Sequence, residues 1–238
     1  MATSIFTTNP FARRVSCARR RRHSVRHDPA VVDDPKGHWQ VVPHAEDYDR
    51  GRFGDVKGRV YRWVEERALR RAIRPLARTD RILDAACGTG RITSLLLRAG
   101  FQGVVASDIS LAMMSVAQRR LAQVPFFQSD VTSLPFDDAS FDTVTCVGLL
   151  MHLDRDTRLR ALAELARISR RFLVVQYGCV GGFTRLVKWL TGGEPGGVRH
   201  SIVQAEITRD LQRIGLRERA RFWALRPFST SVILLLTK

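Results

Sequence analysis

Residues 82–91 read ILDAACGTGR, and their interpretation decides the fold. An apolar run, Asp84, and a turn of small residues with glycines at 88 and 90 stand immediately before a helical pattern. Strand, bare turn and helix start together make an anion or nucleotide-edge site. Glycine lets a ligand approach main chain that a side chain would shield, and the helix start offers unpaired N–H groups. A triphosphate P-loop is excluded, because Gly90 is followed by Arg91 and Ile92 rather than by Lys and Ser/Thr. A dinucleotide fingerprint lacks its third glycine, since Thr93 stands there. A carboxylate at Asp84 also suits a ligand carrying a cation better than a pyrophosphate.

Working outward, strand and helix patterns alternate. RILDAAC, GVVASDI, PFFQSDV, FDTVTCVGLL and RFLVVQYG read as strands. Between them RITSLLLRAG reads as a helix stopped at Gly100. SLAMMSVAQRRLA follows as a helix capped by Ser110, and RDTRLRALAELARI as a third. Upstream, VKGRVYRWVEERALRRAI carries Val56, Val60, Trp63, Val64, Ala68 and Ile73 at helical spacing. QAEITRDLQRIG is a helix ended by Gly215, and RERARFWAL and TSVILLLTK form an antiparallel pair at the sheet edge. This order predicts an α/β, Rossmann-like three-layer sandwich. Its seven-stranded, mainly parallel sheet ends in an antiparallel C-terminal edge strand.

The motifs resemble those of the class I S-adenosylmethionine-dependent methyltransferases, specifically their small-molecule type 11 group. LDAACGTGR resembles the first motif, with Ala86 where many relatives have glycine. Asp108 resembles the acid that ends the second strand, and QSDVTSLPFDDASFD resembles the stretch after the third. The resemblance covers residues 56–178 well and the C-terminal strands loosely. It implies S-adenosylmethionine as cofactor, with Asp84 near its amino end and Ala86, Cys87, Gly88 and Gly90 along the turn. It places Asp108 on the ribose hydroxyls, and Ile109, Met113, Asp130, Val131 and Val147 around the rest of the ligand. Arg62 resembles a position whose cation meets the cofactor carboxylate; it also fits a solvated face with Arg59, Arg67 and Arg70. Cys87 reads as a packing residue, since nothing beside it would activate a thiolate.

The strand-four exit, CVGLLMHLD, holds His152, either a general base or substrate contact or a packing residue at the next helix start. His200, Tyr61 and Tyr177 are weaker candidates, the tyrosines favouring the core. Relatives build a substrate lid from segments equivalent to 44–75 and 179–203. The second contains Phe183, Leu186, Val187, Trp189 and Leu190 around Arg185 and Lys188, which suits an apolar, quinone-like or lipid-like acceptor or an interface.

The chain has 238 residues, 45% of them hydrophobic, enough for one domain with appendages. Residues 1–35 read as a disordered basic arm ahead of a methyltransferase domain at 36–238. Seven arginines and no acid fall within residues 1–27. Such a start also fits an organelle transit peptide, against a cytoplasmic expectation. The longest uncharged stretch, Phe172 to Thr184, is 13 residues, too short for a transmembrane segment. Four cysteines without paired spacing argue against a metal site or disulfide framework. A net charge of +16 raises an RNA methyltransferase as the alternative. CVGL stands where an Asn/Asp-Pro-Pro-aromatic tetrad would mark nucleobase amino methylation, so a small-molecule partner is favoured over nucleic acid. The acceptor atom and the oligomeric state are open at this level.

Overall fold

A computed structural model of the chain describes residues 42–178, 202–224 and 231–238. Two helices lead in, α1 (Val42–Phe53) and α2 (Val56–Ala72). Then β1 (Arg81–Ala85), α3 (Arg91–Arg98), β2 (Gly103–Asp108), α4 (Leu111–Arg120) and β3 (Phe126–Gln128) alternate. They are followed by β4 (Phe141–Cys146), a 3-10 turn (Leu150–His152), α5 (Arg155–Ile168) and β5 (Ser169–Gly178). The chain closes with α6 (Gln204–Ile214), β6 (Arg217–Trp223) and β7 (Ser231–Thr237).

The seven strands form one sheet in the order β3-β2-β1-β4-β5-β7-β6. The pairs among β1 to β5 are parallel, and β7 runs antiparallel between β5 and β6. The predicted architecture is therefore present, with the antiparallel C-terminal pair at one side of the sheet; within the pair β6 takes the edge and β7 the place beside β5. Strand order reverses between β1 and β4, where open α/β sheets leave a crevice at the carboxyl ends of their strands.

Alternation divides the core. Leu83, Val144, Leu173 and Val175 pack toward α5 and α6, whereas Ile82, Val104, Val174 and Ile233 pack toward α2 and α3. Successive strand residues point to opposite faces, so both clusters are read from the same strands.

Boundary residues behave as their chemistry requires. Ser110 caps α4 by accepting from the Met113 amide at 3.2 Å. The apolar run after β4 is not all strand. Gly148, at φ 89°, turns the chain, and Leu150–His152 leave the sheet as the 3-10 turn.

The apolar pattern of α2 forms the predicted helix and divides between two faces. Val64, Ala68, Leu69 and Ala72 are buried, but Val56, Val60 and Trp63 point to solvent.

Candidate active site

The carboxyl ends of β4, β1, β2 and β3 open onto a cavity of about 580 Å³. Its floor is the turn read first in the sequence: Ala86, Cys87, Gly88 and Thr89 all line it. Gly88 has φ +55°, and a Cβ there would stand 3.5 Å from Met113 Cε, in a conformation side chains seldom adopt. Ala86 accepts a similar conformation, φ 57°, despite its Cβ.

Asp108 ends β2 and lines the cavity. The Gly88 amide donates to its Oδ2 at 2.8 Å and the Ser110 amide to its Oδ1 at 2.9 Å, so turn and acid hold each other in place. Burial pushes the Asp108 carboxyl above its usual range, with those amides opposing the rise. Each oxygen keeps lone-pair capacity for a ligand hydroxyl. Asp130 stands after β3, where its Oδ1 accepts from the Thr132 amide at 2.9 Å and from the Thr132 hydroxyl at 2.8 Å. Ile109, Met113, Val131 and Val147 supply apolar wall. His152 lines the cavity from the 3-10 turn, with Leu149 and Leu153 beside it.

Three expected residues stand elsewhere. Asp84 shares its face of β1 with Ile82, so alternation turns it toward α3 and away from the cavity. It is fully buried; Thr93 Oγ1 donates to its Oδ2 at 2.6 Å and Thr145 Oγ1 to its Oδ1 at 2.9 Å. Burial raises its pKa to about 6. Its carboxylate therefore braces the turn from behind and does not line the cavity. Gly90, the αL cap of α3, packs against α4: a Cβ would lie 2.9 Å from Ala117 Cβ and from Leu121 Cδ1. Arg62 is spent on Glu66, at 2.9 Å, and does not line the cavity.

The cations of the wall are Arg52 and Arg91. Arg91 follows the turn directly, and its Nη2 lies 2.5 Å from Glu65 Oε2. Glu65 is fully buried on α2, where it also accepts from Tyr61 Oη at 3.0 Å and from Gln176 Nε2. This network fixes Arg91 while leaving its buried Nη1 without a hydrogen-bond partner among the described residues. Arg52 donates to Tyr48 Oη at 2.6 Å, and its guanidinium lies 5.4 Å from the Phe53 ring centroid. The Arg91 guanidinium lies 5.2 Å from the same centroid.

Tyr48, Asp49, Arg52 and Phe53 all come from α1, the part of expected lid segment 44–75 that meets the cavity. Arg91 lay inside the motif first quoted, and its position after Gly90 was the signal that could have found it.

Tyr61 and Tyr177 do not line the cavity, and Tyr177 is fully buried in the core. The Cys87 thiol is pushed well up by burial, then by the charges of Asp84 and Asp108, which suits packing rather than nucleophilic attack. Among the described residues no His, Cys, Asp and Glu group could hold a metal ion. The basic arm at 1–35, His200 and nearly all of segment 179–203 lie outside the described residues.

Residues 82–171 match the family model described as "Methyltransferase domain". The chain is 49% identical over 114 residues to a demethylmenaquinone methyltransferase of Clavibacter sepedonicus, covering 46% of each chain. It is 37% identical over 110 residues to a ubiquinone/menaquinone biosynthesis C-methyltransferase UbiE of Xylella fastidiosa (strain M12), covering 42% of this chain and 44% of that one. The chain thus spans less than half the length of these curated relatives. Among solved structures it resembles magnesium protoporphyrin IX methyltransferase from Synechocystis PCC 6803 with bound SAH. That likeness has a TM-score of 0.70 at 22% identity, over 85% of this chain and 97% of the other, and concerns the fold.

Proposed function

We propose that the chain is a class I S-adenosylmethionine-dependent methyltransferase that methylates a small, apolar, quinone-like acceptor with S-adenosylmethionine as donor. One observation carries the reading. The bare turn at Gly88, the acid at Asp108 and the Asp130–Val131 pair, far apart in sequence, line one cavity at the point where strand order reverses.

The residues present fit the donor. Asp108 offers acceptor capacity for two ribose hydroxyls, and Ile109, Met113 and Val131 offer an apolar slot for a flat base. Ser129 Oγ, buried in the wall next to Asp130 without a hydrogen-bond partner among the described residues, is a polar atom available to a ligand. So is Nη1 of Arg91, which with Arg52 suits the donor carboxylate. Those two cations take the role that the resemblance gave to Arg62.

The donor supplies an electrophilic methyl group on a sulfonium. The chain's own contribution is alignment and exclusion of water. Holding two reactants in line can lower a barrier by about 7–11 kcal/mol. Val147, Leu149 and Leu153 give the acceptor end an apolar lining, and His152 between them is placed to take a proton from the acceptor. The names of the two curated relatives point to quinone chemistry, and this lining agrees with it.

The test is calorimetric titration with S-adenosylhomocysteine. Wild type binds, and Asp108→Ala binds about a hundredfold more weakly, the loss expected for two hydrogen bonds to a charged group. A thermal melt shows that the variant is folded. Wild-type protein that takes up no S-adenosylhomocysteine would overturn the reading.

A further inference from the structure

Helix α2 turns an apolar ridge to solvent. Val56, Val60 and Trp63 are 66%, 52% and 62% exposed, spaced so that they stand on one side of the helix. They make up three of the five large exposed apolar side chains among the described residues. Around them stand Lys57, Arg59, Arg67, Arg70 and Arg71, all exposed. Among the described residues none of these five cations has a carboxylate within ion-pair distance. Arg59 donates to the Gly54 carbonyl at 2.7 Å, and the Arg67 guanidinium lies 5.8 Å from the Trp63 ring centroid. The neighbouring acids are already engaged: Glu66 pairs with Arg62, and Asp55 accepts from the Gly58 amide to cap the helix.

We propose that this face of α2 is a docking surface for an anionic lipid bilayer. An indole on an apolar ridge, flanked by guanidinium and ammonium groups, is the composition of a helix that lies in the headgroup region. The apolar side enters the acyl boundary and the cations meet lipid phosphates. The ridge argues for lipid over nucleic acid, whose phosphates reward the cations and leave the valines without a partner. The excess of unpaired cations argues against a second copy of the same face, since like charges would meet.

Position gives the surface a use. Val56 follows cavity-lining Phe53 by three residues, so the ridge begins beside the cavity wall. Resting on the acceptor reading above, docking through α2 would bring the cavity to a membrane-dissolved, apolar acceptor without any spanning segment. No helix among the described residues is long and apolar enough to cross a membrane.

The experiment is flotation of the full chain with vesicles of phosphatidylglycerol and phosphatidylcholine, against vesicles of phosphatidylcholine alone. Wild type floats with the anionic vesicles. The double variant Val60→Ser/Trp63→Ser weakens binding about tenfold, and Arg67→Glu/Arg70→Glu by more than about tenfold. All four positions are exposed, and both variants keep wild-type affinity for S-adenosylhomocysteine. The Arg-rich segment at 1–27 gives charge attraction of its own, so the serine variant is decisive. Unchanged flotation of that variant overturns the proposal. So does wild-type binding that does not distinguish the two vesicle types, or a ridge that instead mediates self-association or RNA binding. Absence of S-adenosylhomocysteine binding by wild type would sink the enzymatic reading and leave the vesicle result standing.

Discussion

Asp84 shows how one carboxylate can be placed by strand parity rather than by ligand chemistry. Its position before the glycine turn suggests a contact with the donor, yet alternation sends it to the α3 face, against Thr93 and Thr145. Full burial raises its pKa from 3.8 to about 6. A carboxyl group raised on folding favours the protonated folded state. The stability it contributes is present below the unfolded pKa and is lost as pH rises through the folded one. Two units of difference correspond to about 3 kcal/mol. Urea denaturation of wild type and Asp84→Asn across this range is therefore expected to diverge. Between about pH 4 and pH 7 the wild type loses on the order of 3 kcal/mol relative to the Asn variant. Parallel stability curves would show that Asp84 does not titrate in this window. The cavity acids were easier to read from sequence. Asp108 is the last residue of β2 and Asp130 stands two residues past β3, and an acid at a strand end stays at the carboxyl edge whichever way the pleat turns.

Helix α1 is the element that the sequence concealed. Its segment AEDYDRGRF, residues 45–53, has no apolar repeat and carries a glycine in its interior. It is held by polar contacts with partners far along the chain. Thr89 Oγ1 donates to Asp49 Oδ1 at 2.9 Å, Arg120 lies 2.8 Å from Asp49 Oδ2, and Arg119 lies 2.9 Å from Glu46. Ala45 and Tyr48 add apolar contact with Ala112, Met113 and Val116 of α4. Local patterning carries no trace of bonds across such separations. The helices that were legible, α2 through α6, each bury residues at regular spacing under their own caps or stops. The contacts that hold α1 are largely polar, and exposed ion pairs are worth about 0–1 kcal/mol each, so α1 is expected to open before the sheet does. Asp49→Ala removes the link to the glycine turn and to Arg120 together. Global stability is expected to fall by less than about 1.5 kcal/mol. S-adenosylhomocysteine binding is expected to weaken about fivefold to tenfold, because Tyr48, Arg52 and Phe53 leave the wall whenever α1 lifts. Hydrogen exchange would show faster exchange confined to α1. A uniform change across the sheet would show instead that Asp49 supports the whole fold.

At the scale of the molecule, the last residues in the sequence occupy an interior place in the sheet. β7 inserts between β5 and β6, pairing antiparallel with each. Val232, Ile233, Leu234, Leu235 and Leu236 are all buried. The antiparallel pair is read from two adjacent strand patterns, and pairing alone leaves their order in the sheet open. Burial on both faces decides it: TSVILLLTK is apolar without alternation, as a covered strand requires, whereas RERARFW alternates charge with apolar groups and suits an edge. Burying five such side chains is worth about 1.5–3 kcal/mol each, which together rivals the net stability of a typical domain, about 5–15 kcal/mol. A chain ended after Trp223 would leave β6 without a strand partner and expose the edge of β5, where Val174, Val175 and Tyr177 are fully buried. That truncation is expected to abolish cooperative thermal unfolding and to send the protein to the insoluble fraction. Replacing Leu234 alone by Ala is expected to cost about 2–5 kcal/mol while keeping a cooperative transition. A soluble truncated chain that still melts cooperatively would show that the parallel strands, with the glycine turn among them, fold without the C-terminal pair.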